Sequence, residues 1–209
     1  MNIFYFNQCP IKSAEDQPDK MLVKMPLETA QMLCSVWHRH GQGDKVPYRE
    51  VHKNHPCTLW TGDSLLNYDW LWKHGMELCF EYTRRYNKIH KCQQVIMDLE
   101  VYQCPFAFPI TDCSTPHPQC MPDEYKSTEL RIHSNTVRAY RRYYVNDKKD
   151  IAKWEKSRPM PDWYDVGNIT AEKITNQCAG VYHAEVTDAN GCIDTAEVEI
   201  NSINILSVS

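Results

Sequence analysis

The sequence predicts a mainly α-helical protein, a small helical bundle with long irregular loops, closed by a short all-β C-terminal tail. Three observations predict it. Apolar residues recur at helical spacing in several stretches up to residue 164, strict apolar–polar alternation appears only after residue 180, and the charge changes with the texture. Residues 165–209 carry one lysine and seven acids, whereas residues 1–164 carry 22 bases and 20 acids. We therefore expect two parts, a helical body at 1–164 and a β tail at 165–209. The 209 residues are 42% apolar, enough for a packed core, which excludes full disorder.

Taken in chain order, residues 2–6 read as a short strand or an extended lead-in. From Asp19 to about His38, Leu22, Met25, Thr29, Met32, Leu33, Val36 and Trp37 share one helical face. Pro26 falls inside this pattern, so the helix either starts there or kinks. Residues 39–54 are polar and read as a connecting loop. Asp63-Ser64 is a natural N-cap for a second helix, whose inward face is Tyr68, Leu71, Gly75, Leu78, Cys79, Tyr82 and Tyr86. Val95, Ile96 and Leu99 suggest a short third helix. A proline-rich loop follows at 104–122. The last long helix is expected from about Thr128 to Lys156, with Val137, Tyr140, Tyr144, Ile151 and Trp154 inward. Beyond Pro159 the helical period stops, and Asp188-Ala-Asn-Gly191 is a hairpin-turn signal inside about three short strands, with Cys178 and Cys192 placed to face each other.

Composition excludes several function classes. The seven glycines form no Gly-rich run, which removes a dinucleotide-binding fingerprint and a P-loop. No apolar run of about 18 residues is present, so no membrane span is expected. The first residues lack the pattern of a secretory signal, and a cytoplasmic location is expected. Ten cysteines in such a compartment act mostly as small hydrophobes. Cys113-x3-His117-x2-Cys120, with Cys104 upstream, has zinc-type ligands, but the five prolines of the 104–122 segment fit a surface loop better, and no metal is expected.

The last helix carries a basic stripe. Arg138, Arg142, Lys149, Lys153 and Lys156 fall at spacings that keep them on one side of a continuous helix, with Tyr140, Tyr143, Tyr144 and Trp154 interleaved. Such a stripe suits contact with a phosphate backbone, and equally a solvated helix face. His52, Lys53 and His55 form a compact cationic run before Pro56, where the chain is biased toward extended backbone. A loop of this kind clamps phosphates or simply lies at the surface.

Two sets of strings resemble known families. Cys178-Ala-Gly-Val-Tyr-His-Ala-Glu-Val-Thr-Asp-Ala-Asn-Gly-Cys192 is similar to half of an immunoglobulin-like repeat of bacterial surface adhesins, which implies a passive spacer or adhesive unit. In the body, Met1-Asn-Ile-Phe-Tyr5, Lys24-Met-Pro-Leu-Glu-Thr-Ala-Gln-Met-Leu33, His52-Lys-Asn-His-Pro-Cys57, Asn67-Tyr-Asp-Trp-Leu71, Glu81-Tyr-Thr-Arg-Arg-Tyr86, Met121-Pro-Asp-Glu-Tyr125 and Pro161-Asp-Trp-Tyr164 resemble a family of small uncharacterised phage proteins. More distantly, the order of parts resembles the phage pyrimidine-dimer DNA glycosylases of the endonuclease V type. A glutamate early in the first long helix, Tyr68-Asp69 in the second, Pro122-Asp-Glu-Tyr125 before the last and Trp163-Tyr164 near the body's end carry that likeness.

The resemblance implies a chemistry and a set of residues. In that family a free α-amine attacks C1′ of the damaged nucleotide and forms a Schiff base, a role suited to a group whose reference pKa is about 7.7–8. A carboxylate then stabilises charge on the sugar and shuttles protons. Glu28 takes that position here. Asn2 is larger than the residues that favour removal of Met1, so the amine is expected on Met1, with Asn2 the carrier where Met1 is lost. Lys20, Lys24, Arg39, His52, Lys53, His55, Arg138, Arg142, Lys149 and Lys153 are the expected DNA contacts. The likeness departs at Met21, where relatives have His, at Pro26, and at Thr61-Gly62 in place of Ala-Arg.

The implied function is DNA glycosylase with abasic-site lyase activity on damaged or modified bases. It needs no cofactor, takes double-stranded DNA as partner, involves no membrane and acts as a monomer, in the host cytoplasm if phage-encoded. A non-catalytic DNA-binding or virion-associated protein is the alternative, and a cosubstrate-dependent base-modifying enzyme a third.

Overall fold

A computed structural model describes residues 1–109, 114–128, 133–164, 180–187 and 193–200. The chain divides into two units, Met1–Val166 and Gly167–Ser209. In the first, six α-helices are described: α1 (Pro10–Glu15), α2 (Asp19–Arg39), α3 (Pro56–Asp63), α4 (Leu65–Tyr86), α5 (Gln93–Asp98) and α6 (His133–Asp147). The mainly helical class read from the sequence is what the structure shows. In the second unit, β1 (Gly180–Thr187) and β2 (Ile193–Ile200) pair antiparallel, with Gly180 opposite Ile200 and Thr187 opposite Ile193. The expected hairpin turn, a third strand and Cys178 and Cys192 lie outside the described residues.

Residues 1–7 form no regular element. They run as an extended lead-in through the body, with Ile3, Tyr5 and Phe6 buried. Short α1 holds this segment: Ser13 Oγ accepts from Phe6 N at 3.0 Å, and Gln17 Nε2 donates to Phe4 O at 2.8 Å. Phe4 and Phe6 then meet Tyr144 edge-on, with ring centroids 5.1 and 4.6 Å apart, and Phe6 also lies against Trp163. Phe6, a fully buried ring, contributes roughly 1.5–3 kcal/mol through apolar burial.

Helix α2 begins at Asp19 and continues through Pro26, so the alternative of a start at Pro26 is excluded. Pro26 has no amide to give the Leu22 carbonyl, a local loss that the packing of α2 on α4 overrides. Helix α4 starts where its cap predicts, Ser64 Oγ accepting from Asn67 N at 3.1 Å. It ends at Asn87, whose left-handed φ of 53° closes the last turn through its amide on Thr83 O. Gly75 allows the two long helices to approach: a Cβ there would lie 2.5 Å from Thr29 Cγ2.

The last helix is shorter than its charge pattern suggests. Described helix ends at Asp147, and Lys148–Lys156 has left it. The reason is a set of contacts from the chain's other end. Asp19 N donates to Lys153 O at 2.9 Å, Asp19 Oδ2 accepts from Glu155 N at 2.7 Å, and Trp154 Nε1 donates to Asp16 O. Beneath them lies a buried ionic network. Arg85 donates to Asp19 Oδ1 at 3.0 Å and to Glu81 Oε2 at 2.9 Å, while Arg158 reaches Glu81 and Glu15.

Candidate active site

The site is built on Glu28, a buried carboxylate on α2 two residues after Pro26. Its Oε2 accepts from the backbone amide of Asn2 at 2.9 Å and lies 3.9 Å from the Met1 amine. Its Oε1 takes Lys24 Nζ at 2.9 Å, one helical turn earlier. Both oxygens of a largely desolvated carboxylate are therefore matched by cationic or amide donors, as burial of a charge requires. The lead-in brings residues 1 and 2 to this group across 26 residues of chain.

Asn2 is clamped from three directions. Its Nδ2 donates to Cys120 O at 2.8 Å, and its Oδ1 accepts from Ile3 N at 2.8 Å. The Tyr140 hydroxyl lies 3.0 Å from the same Oδ1 and 2.9 Å from Pro118 O, and accepts from Cys120 N at 3.1 Å. Burial pushes the Tyr140 phenol well above its ordinary range, so its single proton stays available as a donor. The Met1 side chain is buried too, its sulfur taking the Thr58 hydroxyl from α3 at 3.5 Å.

Helix α3 supplies the neighbouring groups. His55 is its N-cap, extended as a residue before proline should be, with Nδ1 accepting from Cys57 N at 3.2 Å. Burial, then the positive charge of the Met1 amine, hold the His55 imidazole below its usual range. Cys57 Sγ lies 3.6 Å from Cys120 Sγ. Their mutual hydrogen bond, ahead of burial, pushes the Cys57 thiol up, and the same bond holds Cys120 down. Beside α3 a groove of about 280 Å³ is lined by Arg39, Glu50, Lys53 and Thr58 among others.

The structure thus gathers Met1, Asn2, Glu28 and Lys24, with His55 close to the amine. Arg39 and Lys53 line the groove, where they pair with Asp63 at 3.3 Å and Glu50 at 3.7 Å. His52 occupies a left-handed turn with φ of 47° and is exposed, as is Lys20 on the first turn of α2. The stripe expected along the last helix is not continuous. Arg138 and Arg142 are on α6, but Lys149 and Lys153 lie beyond its end, and Arg142 donates to the carbonyls of Glu124 and Tyr125.

The zinc-type spacing at 104–120 also resolves differently. His117 is fully enclosed, stacked on Trp60 at 4.6 Å with burial holding its imidazole at about 3, and Cys104 turns to Glu100 O. Cys113 lies outside the described residues. Trp60 and Trp70 are core residues. The sequence pattern marks Cys120 only as a zinc-type ligand and Tyr140 only as an aromatic of the last helix, and gives Cys57 no role, yet all three border the first residues. Only the proline before Cys57 hinted at an ordered start there.

The first two residues thus place an amine and an amide nitrogen on one buried glutamate. Residues 1–94 match the family model of pyrimidine dimer DNA glycosylase. That stretch holds Met1, Asn2, Lys24, Glu28, His55 and Cys57, and leaves out Cys120 and Tyr140. The match supports a pyrimidine dimer DNA glycosylase function at the level of the family, with DNA as substrate. No curated protein and no solved structure matches the chain. Among the described residues, no helix is long and apolar enough to cross a membrane.

Proposed function

We propose that the chain is a DNA glycosylase with abasic-site lyase activity on damaged or modified bases of double-stranded DNA, acting as a monomer. The N-terminal α-amine is the nucleophile and Glu28 the acid–base group. The observation that carries this reading is the placement of the Met1 amine at 3.9 Å and the Asn2 nitrogen at 2.9 Å from Glu28 Oε2. Whichever of the two residues is first in the mature chain, its amine lies beside the carboxylate.

In this reading the neutral amine attacks C1′ as the bond to the base breaks, and one amine proton passes by way of Glu28 to the leaving base. A proton from solvent on the ring oxygen then opens the sugar to an iminium, whose positive charge the Glu28 carboxylate stabilises. Glu28 then takes a C2′ proton, and the electron pair expels the 3′ phosphate, cutting the strand. The nucleotide must leave the stack for its C1′ to reach the amine, at a cost that is least for a damaged base.

Borohydride trapping on a duplex with one abasic site, and on one with a thymine dimer, with and without EDTA, tests the reading. A covalent protein–DNA band is expected, lost when the N-terminus is blocked by an appended segment. Glu28→Gln should lower strand cleavage by about 10²-fold or more while leaving DNA affinity nearly intact. DNA binding without a band on either substrate overturns the lyase reading in favour of a non-catalytic DNA-binding protein.

A further inference from the structure

We propose that His55, Cys57 and Cys120 form a binding site for zinc or a similar soft divalent cation. A ring nitrogen of His55 and the two sulfurs all lie within 4.8 Å of one another. The sulfurs are 3.6 Å apart. Zinc–sulfur bonds of about 2.3 Å at a tetrahedral angle place two thiolates about 3.8 Å apart, so the pair needs almost no movement to share an ion. One histidine and two cysteines are a donor set that soft cations prefer to magnesium or calcium.

The surroundings suit a three-ligand site with one open position. Cys57 is buried, whereas His55 and Cys120 are partly exposed, which gives an ion a way in. Asn2 Oδ1, 3.6 Å from Cys57 Sγ, and the chain's first residues border the cluster. An ion here joins the N-terminus of α3 to the proline-rich loop, two segments 63 residues apart that meet over the lead-in. It would fix the Cys120 carbonyl on which the Asn2 side chain rests. The site differs from the Cys104–Cys120 stretch that the sequence pattern offers: Cys120 is common to both, but its described companions are His55 and Cys57.

The test uses the full chain without DNA, so its outcome is independent of the Schiff-base reading. Purified protein is loaded with zinc or cobalt(II), dialysed, and its metal content measured. One ion per chain is expected, with cobalt giving thiolate charge-transfer absorption and the intense visible bands of a tetrahedral site. Cys57→Ser and Cys120→Ser should each abolish the charge-transfer band or reduce affinity by at least about 100-fold, and Cys104→Ser should leave both unchanged. His55→Asn, which keeps an N-cap acceptor, should weaken binding by about 10- to 100-fold with α3 still folded. Substoichiometric metal in folded wild-type protein overturns the proposal. So does a cobalt spectrum indifferent to Cys57→Ser and Cys120→Ser, or a Cys57–Cys120 disulfide in the isolated protein that persists under reducing conditions in place of metal binding.

Discussion

The Tyr140 hydroxyl lies 3.0 Å from Asn2 Oδ1, so the last helix of the body reaches the second residue of the chain. The Tyr140 hydroxyl oxygen also accepts from Cys120 N. Tyr140→Phe removes one group that serves both partners and leaves the buried Cys120 amide unmet, a loss of about 1–3 kcal/mol. A thermal melt should show that loss with the helical circular dichroism intact at room temperature. Single-turnover strand cleavage should fall by about tenfold, because the first residues would be held less closely against Glu28.

Arg85 is enclosed, and it donates to Asp19, Glu81 and the carbonyls of Gln17 and Glu15. Arg85→Met keeps much of the volume but strands Asp19 without its cation. Urea denaturation should show a loss of about 3–5 kcal/mol, as expected when one partner of a buried ion pair is removed. An unchanged midpoint would mean that Arg158 and Arg84, both paired with Glu81, alone neutralise the cluster.

Gly75→Ala tests the approach of the two long helices. Alanine favours a helix by up to about 1 kcal/mol over glycine, but here its methyl would meet Thr29 Cγ2 at 2.5 Å. Net destabilisation of about 1–3 kcal/mol is expected from overpacking. The double variant Gly75→Ala with Thr29→Ser should recover most of it.

Burial holds the His74 imidazole down at about 4, with Nδ1 facing Pro10 O at 3.0 Å. A depressed pKa means that the unfolded chain takes up the proton first. The stability from keeping His74 neutral is fully present above about pH 6.5 and declines as pH falls through about 4, by on the order of 3 kcal/mol. Denaturation midpoints at pH 7.5, 5.5 and 4.5 should fall in that order, and His74→Gln should flatten the slope.

Arg39→Ala and Lys53→Ala, both in the groove, should weaken DNA binding at every sequence and lower the salt slope by about one each. Arg142→Ala should act instead on stability, since its guanidinium is committed to the carbonyls of Glu124 and Tyr125. Equal effects of all three on the salt slope would extend the DNA surface onto α6.

Helices α2, α4 and α5 were legible because each carries an apolar face, and Ser64 marked the start of α4 correctly. Helices α1 and α3 were not. At six and eight residues, opened by Pro10 and Pro56, they are too short for a period to show. The end of α6 misled for the opposite reason: the charges keep helical spacing to Lys156, while distant Asp16 and Asp19 pull the backbone away after Asp147. At the site, Glu28 was reached through family likeness, and its neighbour Lys24 is one helical turn away. Cys57, Cys120 and Tyr140 join through long-range pairing, which no local pattern records.

The lead-in also imposes an order of assembly. Phe4 and Phe6 leave the ribosome long before Tyr144 and Trp163, the rings on which they pack. At about 5–20 residues per second, these rings wait roughly 7–30 s for their partners. Until then the segment is an unfinished edge whose apolar rings lack their partners. The enclosure of this segment is thus finished only once the far end of the body has been made.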